Sequence, residues 1–205
     1  MEVLEEYLTI KPEDLWVYNK LQVAALVGHT CGPIGAPVPF PGWYIIKPIV
    51  TFVGMGKNAR KIWLTPNDDT ERYGIPGEMW CEYFFGPHLT IDFYKNDQNL
   101  VVLGKKAKNE RSIEESKWKS WHKIDLPAKL PQFLKEIHKK YGTINIETIG
   151  GNLIEVHIRE NPDFVWGNEV AIPVWEGEII SPPEGYRYVE SPDYDRLGFY
   201  IKWWG

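Results

Sequence analysis

Between Thr143 and Arg159 the chain carries two carboxylates, an imidazole and a guanidinium: Glu147, Glu155, His157 and Arg159. Such a set makes a chemical site rather than an ordinary solvent surface, provided the side chains share one wall. Alternation decides whether they do, because successive side chains in a strand point to opposite faces. The span reads as two strands folded back at Gly150-Gly151. Ile144 and Ile146 line one face of the first strand, with Asn145 and Glu147 opposite. In the second, Ile154, Val156 and Ile158 oppose Leu153, Glu155, His157 and Arg159. A loop of the two glycines alone would set Ile146 against Glu155 and turn one of them the wrong way. A three-residue loop with a left-handed glycine restores the match and gathers Asn145, Glu147, Glu155, His157 and Arg159 on one wall. A solvated outer sheet face with an incidental ion pair fits the same pattern equally well.

A second group of chemical residues comes earlier. In Tyr44-Ile45-Ile46-Lys47-Pro48-Ile49-Val50, alternation sets Lys47 between Ile45 and Ile49 on one face. A lysine among β-branched neighbours either snorkels to water or meets an anion. Gly54-Met55-Gly56-Lys57 follows, with Arg60 and Lys61, a loop whose bare amides and cations suit phosphate oxygens. Most such glycine pairs are simple turns. A third segment, Met79 to Tyr94, reads as a strand, a kink at Gly86-Pro87 and an alternating strand. Its aromatic density serves core packing, or a hinge that holds a flat base between apolar side chains and main-chain groups.

The elements that must position these residues follow from period and punctuation. Residues 12–27 read as a helix opened by Pro12, Glu13 and Asp14 and stopped by Gly28. A glycine- and proline-rich connector covers 29–42. Strands are expected over 43–53, 60–66, 78–85, 88–95 and 98–104. The charged run 105–119 reads as a loop or flap. A second helix spans 130–141, with Phe133, Leu134, Ile137 and Tyr141 on one side and Gly142 as its stop. Short strands and proline turns fill the remainder, ending in Tyr200, Trp203 and Trp204. There is no internal repeat.

In this order the three segments resemble the ATP-grasp fold of carboxylate–amine ligases. The matching residues are Ile46-Lys47-Pro48, Gly54 to Gly56, Glu82-Tyr83-Phe84-Phe85-Gly86, Glu147, and Glu155-Val156-His157 with Arg159. Tyr18-Asn19-Lys20-Leu21 and Gly35-Ala36-Pro37-Val38-Pro39 are similar to the segment that precedes the lysine strand in that family. The resemblance spans roughly residues 15 to 165. It implies an α+β, ATP-grasp-like fold: two small antiparallel-sheet lobes with flanking helices and a nucleotide cleft between them. One domain over 1–205 would comprise a nucleotide-covering lobe at 43–86 and a metal- and substrate-side lobe at 87–205.

The resemblance also implies roles. Lys47 would touch ATP phosphates, covered by Gly54, Gly56 and Lys57. Main-chain groups of Glu82, Tyr83 and Phe84 would hold adenine, with the Glu82 side chain on ribose or base. Glu147 and Glu155 would carry Mg²⁺, with Asn145 a rival for the first position, and Arg159 would steady the acyl phosphate and the oxyanion after it. Three departures stand out. His157 occupies the place of the family's asparagine, where it would orient substrate or shift the metal preference towards Mn²⁺. The usual preceding lobe is absent from this sequence, and the hairpin is short. Compact chains of this kind resemble single-domain ATP-grasp proteins of some bacteriophages. The implied activity is ATP- and Mg²⁺-dependent ligation of a carboxylate to an amine or similar nucleophile. The alternative is an inactive descendant that binds nucleotide or a partner.

Composition limits the partners. The chain has 205 residues, 43% hydrophobic and 14% aromatic, enough for a real core. A net charge of −5 argues against a generic grip on nucleic acid, and glutamates dilute the lysines of 105–119. No run approaches a membrane span, and the acidic N-terminal residues are unlike a signal segment. Cys31 and Cys81 read as reduced thiols without metal spacing. A cytoplasmic protein is expected, in the host cytoplasm if phage-encoded. Ten tryptophans suggest a flat or apolar ligand as well as core, and the aromatics from Tyr186 to Trp204 either shield a cleft or form a homodimer face.

Overall fold

A computed structural model of the chain describes residues 2–51, 58–95, 98–105, 118–193 and 195–202. Gly54, Gly56 and Lys57, most of the charged run, and Trp203 and Trp204 lie outside the described residues. The chain divides into two compact units. Among the described residues the first takes in the chain up to Gly86 together with Thr148–His157, and the second takes in the rest.

The first unit opens with α1 (Glu2–Thr9). The helix expected over 12–27 is in fact two pieces, a 3-10 helix over Pro12–Tyr18 and α2 (Lys20–Leu26). Asn19 divides them: its backbone is extended, and its side chain accepts the Gln22 N–H at 2.9 Å, capping a fresh helix. Four strands follow: β1 (Cys31–Pro33), β2 (Gly42–Pro48), β3 (Arg60–Leu64) and β4 (Glu78–Glu82). They form an antiparallel sheet in the order β1-β4-β2-β3. Three strands are shorter than expected, β4 ending at Glu82 rather than at 85. β2 stops at Pro48, which has no N–H to donate to a ladder. β3 stops at Leu64 because both the N–H and the hydroxyl of Thr65 turn onto Asp68 Oδ2, each at 2.7 Å.

Both faces of this sheet are packed. Tyr44 and Ile46 point one way, into a cluster with Val38, Leu64 and Trp80. Tyr44 donates its hydroxyl to Phe40 O and Trp80 donates its indole N–H to Ala36 O, so neither aromatic buries an unpaired polar atom. Ile45 points the other way, towards Met79, Cys81 and Ala24 of α2, the face that alternation also gives to Lys47. Burying each large apolar side chain contributes about 1.5–3 kcal/mol. Near the sheet's end Arg60 grips Glu78 with two bonds of 2.8 and 2.7 Å, and this hydrogen bonding holds the Glu78 carboxyl below its usual range.

The second unit contains β5 (His88–Tyr94), β6 (Asn99–Lys105), β7 (Ser120–Ile124), α3 (Lys135–Tyr141) and most of β8 (Thr143–Ile149). β8 turns back at Gly150-Gly151 into β9 (Asn152–His157), and the unit boundary falls inside β8, after Glu147. The second unit then resumes with β10 (Val170–Trp175), β11 (Tyr186–Asp193) and β12 (Arg196–Lys202). Its strands neighbour one another in the order β11-β12-β10-β7-β6-β5-β8. Val102, Phe164, Ala171, Phe199 and Ile201 form its core. The helix expected over 130–141 begins as a 3-10 turn at Gln132–Leu134, and Gly142 stops it in the left-handed region at φ 86°.

The turn between β8 and β9 corrects the sequence reading. It holds two residues, not three: Gly150 and Gly151, at φ 58° and 84°. Two consecutive left-handed residues make the tight hairpin turn whose twist suits the flanking strands. A third turn residue is required only if each strand has a single apolar face. Ile144, Asn145 and Ile146 are all buried, so alternation did not distinguish the faces of β8.

Candidate functional site

The first unit gathers cations round one carboxylate. Glu155 leaves β9, and its Oε1 lies 3.0 Å from Nζ of Lys20, the first residue of α2. The imidazole of His157, two residues along β9, approaches the same oxygen with Nε2 at 3.5 Å. Lys20 also donates to Thr51 Oγ1 at 2.8 Å. Lys47, from β2, donates to the Ile154 carbonyl at 3.1 Å, one residue before Glu155. Burial alone would raise the Glu155 pKa. The charges of Lys20, His157 and Lys47 outweigh burial and hold it well below the ordinary carboxylate range. The carboxylate is therefore ionised, with two amines close by, and suits both a divalent cation and an anionic oligophosphate.

His157 is buried, and its ring stacks edge-on to Tyr18 with centroids 6.4 Å apart. The Tyr18 hydroxyl bonds the Glu6 carboxylate of α1. Aromatic packing thus fixes the imidazole that faces Glu155.

The hinge segment leaves β4 at Glu82. The Glu82 N–H donates to Thr30 O at 2.9 Å, and its Oε1 accepts the Thr30 N–H at 2.8 Å. That carboxylate therefore pins the strand leading into β1. The Tyr83 N–H bonds Trp43 O at 2.9 Å, while Phe84 packs against His29 with centroids 4.6 Å apart. Lys61 rests its ammonium over Tyr83, Trp43 and Phe85 at 4.1, 4.8 and 5.0 Å from the ring centres. The hinge ends against the hairpin turn. A Cβ on Gly150 would lie 2.2 Å from Phe85 O, and one on Gly86 would lie 2.8 Å from Gly150 Cα.

The remaining sequence candidates belong to the second unit. Glu147 pairs with His88, Oε2 to Nε2 at 3.0 Å, and His88 is flanked by the rings of Trp118 and Trp121. Asn145, the rival to Glu147, is buried, and its Nδ2 donates to Thr90 Oγ1 and to Asp92 Oδ1, both at 2.7 Å. It is tied into a core network, whereas Glu147 is partly exposed. Arg159 donates from Nη1 to Glu160 O at 2.9 Å.

Lys20 is the site residue that the sequence reading passed over. It was noted only as part of a family-like segment, yet it makes the closest contact to Glu155. Only the fold marks it: there Lys20 is a buried cation at the start of a helix, opposed to the positive end of the helix dipole, so it calls for an anion.

Comparison of the whole structure with solved structures gives the class. It is similar to carboxyaminoimidazole ribonucleotide synthase from Aspergillus clavatus, complexed with ATP, at 12% identity and TM-score 0.53, over 97% of this chain and 72% of that one. It is similar to N5-carboxyaminoimidazole synthetase from Staphylococcus aureus, complexed with ADP, at 10% identity and TM-score 0.52, over 91% and 67%. The chain has the ATP-grasp fold, an α+β arrangement with two antiparallel sheets. Against the L-amino acid ligase from Bacillus licheniformis the match covers 73% of this chain but spans only 42% of that protein's length, at 13% identity and TM-score 0.45. No family model and no curated protein matches the sequence. Among the described residues, no helix is long and apolar enough to cross a membrane.

Proposed function

We propose that this chain binds ATP with Mg²⁺ and uses it to activate a carboxylate for attack by an amine or similar nucleophile. The observation that carries this reading is the grouping of Lys47 and Lys20 with the ionised Glu155 in the first unit. In this reading Lys47 and Lys20 neutralise phosphate oxygens. Main-chain groups of Glu82, Tyr83 and Phe84 hold the adenine.

Glu155 would hold Mg²⁺, which prefers one or two carboxylates plus phosphate oxygens to an all-protein cage. The fit rests on the donor set: an acid kept deprotonated by its neighbours needs no proton loss to take a cation. Held there, Mg²⁺ would supply charge neutralisation at the phosphate oxygens. A substrate carboxylate oxygen then attacks the terminal phosphorus and ADP departs. The nucleophile attacks the acyl carbon, and phosphate leaves with the bonding electrons. His157 orients the acid. The protein supplies position and charge rather than a covalent group.

The test is release of ADP and phosphate when the full chain meets ATP, Mg²⁺ and a matrix of carboxylic acids and amines. Turnover that needs both an acid and an amine supports the reading. A second reading, a nucleotide-binding module without catalysis, is favoured by His157, a poor magnesium ligand where the family resemblance calls for asparagine. ATP binding with no product across the matrix selects that second reading. Absence of ATP binding removes both.

A further inference from the structure

Cys31 and Cys81, distant in sequence, face each other directly: β1 and β4 are antiparallel with Cys31 opposite Cys81. The bonds on either side fix the type of pair. Glu82 N–H donates to Thr30 O, and Ile34 N–H donates to Glu78 O. Hydrogen-bonded positions therefore alternate from Thr30/Glu82 to Ile34/Glu78, and the cysteines fall on a non-hydrogen-bonded position between them. There the Cα atoms are about 4.5 Å apart, inside the span of about 4.4–6.8 Å that a disulfide bridges. Both side chains leave the sheet on the Ile45 face and pack in one cluster with Met79 and Ala24. Both are free thiols, Cys31 half-buried and Cys81 buried.

We infer that Cys31 and Cys81 form a modification site that closes into a reversible cross-strand disulfide with a low-molecular-weight disulfide, such as oxidised glutathione, as oxidant. The Cys31 thiolate attacks one sulfur of glutathione disulfide, forming a mixed disulfide and expelling one glutathione thiolate. The Cys81 thiolate then attacks the Cys31 sulfur and expels the second. Two protein thiols are oxidised, one glutathione disulfide is reduced to two thiols, and the departing thiolates take up the protons released. Burial pushes both protein thiols up, Cys81 to about 12, so exchange is slow. The bridge would staple β1 to β4 beside Glu82. It does not depend on the proposed ligase reading.

The full chain is incubated with oxidised glutathione, denatured, alkylated and weighed intact. The expected product takes no alkyl label, has lost its two thiol hydrogens, runs as a monomer without reductant and recovers both thiols in dithiothreitol. Cys81→Ser is expected to stop at a single glutathione adduct on Cys31. Wild-type protein that stays doubly alkylated, retains stable glutathione adducts or links to a second chain overturns the inference, and that measurement needs no variant to fold.

Discussion

Lys20 Nζ and Glu155 Oε1 lie 3.0 Å apart, with only 7% and 22% of their side chains exposed. Removing one partner of such a pair leaves the other charge buried and costs about 3–5 kcal/mol. Glu155→Gln is expected to show a loss of that order in urea unfolding. Lys20→Met with Glu155→Gln should cost less than the two single changes summed, because the second removes a charge already stranded. Additive costs would show that the contact carries no coupling.

The same pair sets an acid response. The Glu155 carboxyl is held below its unfolded value, so the unfolded chain binds more protons between the two values, and stability rises with pH across that window. Its contribution is fully present above the unfolded glutamate value of about 4.3 and is lost as pH falls through the folded one. Glu78, lowered by Arg60, acts with the same sign. The gap in unfolding free energy between wild type and Glu155→Gln should therefore narrow as pH falls from about 5. A gap that does not change with pH would contradict the assignment.

What could be read in advance was local. Alternation in β2 put Lys47 on the face of Ile45, and Gly142 marked the end of α3. Order and residue type also led to the fold. What could not be read was pairing over distance. Nothing in the helix around Lys20 names Glu155, and the positions of Cys31 and Cys81 do not reveal that they are opposite. Asn19 was read as helix interior although its side chain is of a capping type. The hairpin register was misjudged because β8 buries a polar residue, Asn145, whose amide is satisfied by Asp92 and Thr90.

The hairpin turn separates two neighbouring glycines. Both adopt left-handed backbones, where a side chain costs about 1–2 kcal/mol. A Cβ on Gly151 meets nothing within 4 Å, whereas one on Gly150 meets Phe85 O at 2.2 Å. Gly151→Ala should lose about 1 kcal/mol in denaturant unfolding. Gly150→Ala should lose clearly more, because backbone must move. Equal losses would mean that the hinge does not cross the turn so closely.

Asp92 organises the core of the second unit. Its carboxylate accepts Asn145 Nδ2 at 2.7 Å, the Asn161 N–H at 3.0 and 3.1 Å, and the Tyr94 hydroxyl at 3.2 Å. Asp92→Asn keeps the shape but turns one acceptor into a donor facing donors. The expected cost is about 1–3 kcal/mol in urea unfolding, despite removal of a buried charge. A stabilised variant would show that charge burial outweighs the hydrogen bonds.

Titration calorimetry of the full chain with ATP and Mg²⁺ tests the nucleotide site most directly. Wild type should bind, Lys47→Ala and Glu155→Gln should lose at least tenfold in affinity, about 1.4 kcal/mol, and Lys123→Ala, whose amine pairs with Glu169 in the second unit, should bind as wild type does. Circular dichroism of each variant confirms that it is folded. No heat from wild type at millimolar ATP, or unaltered affinity in folded Lys47→Ala and Glu155→Gln, would contradict the claim that these residues form a nucleotide site.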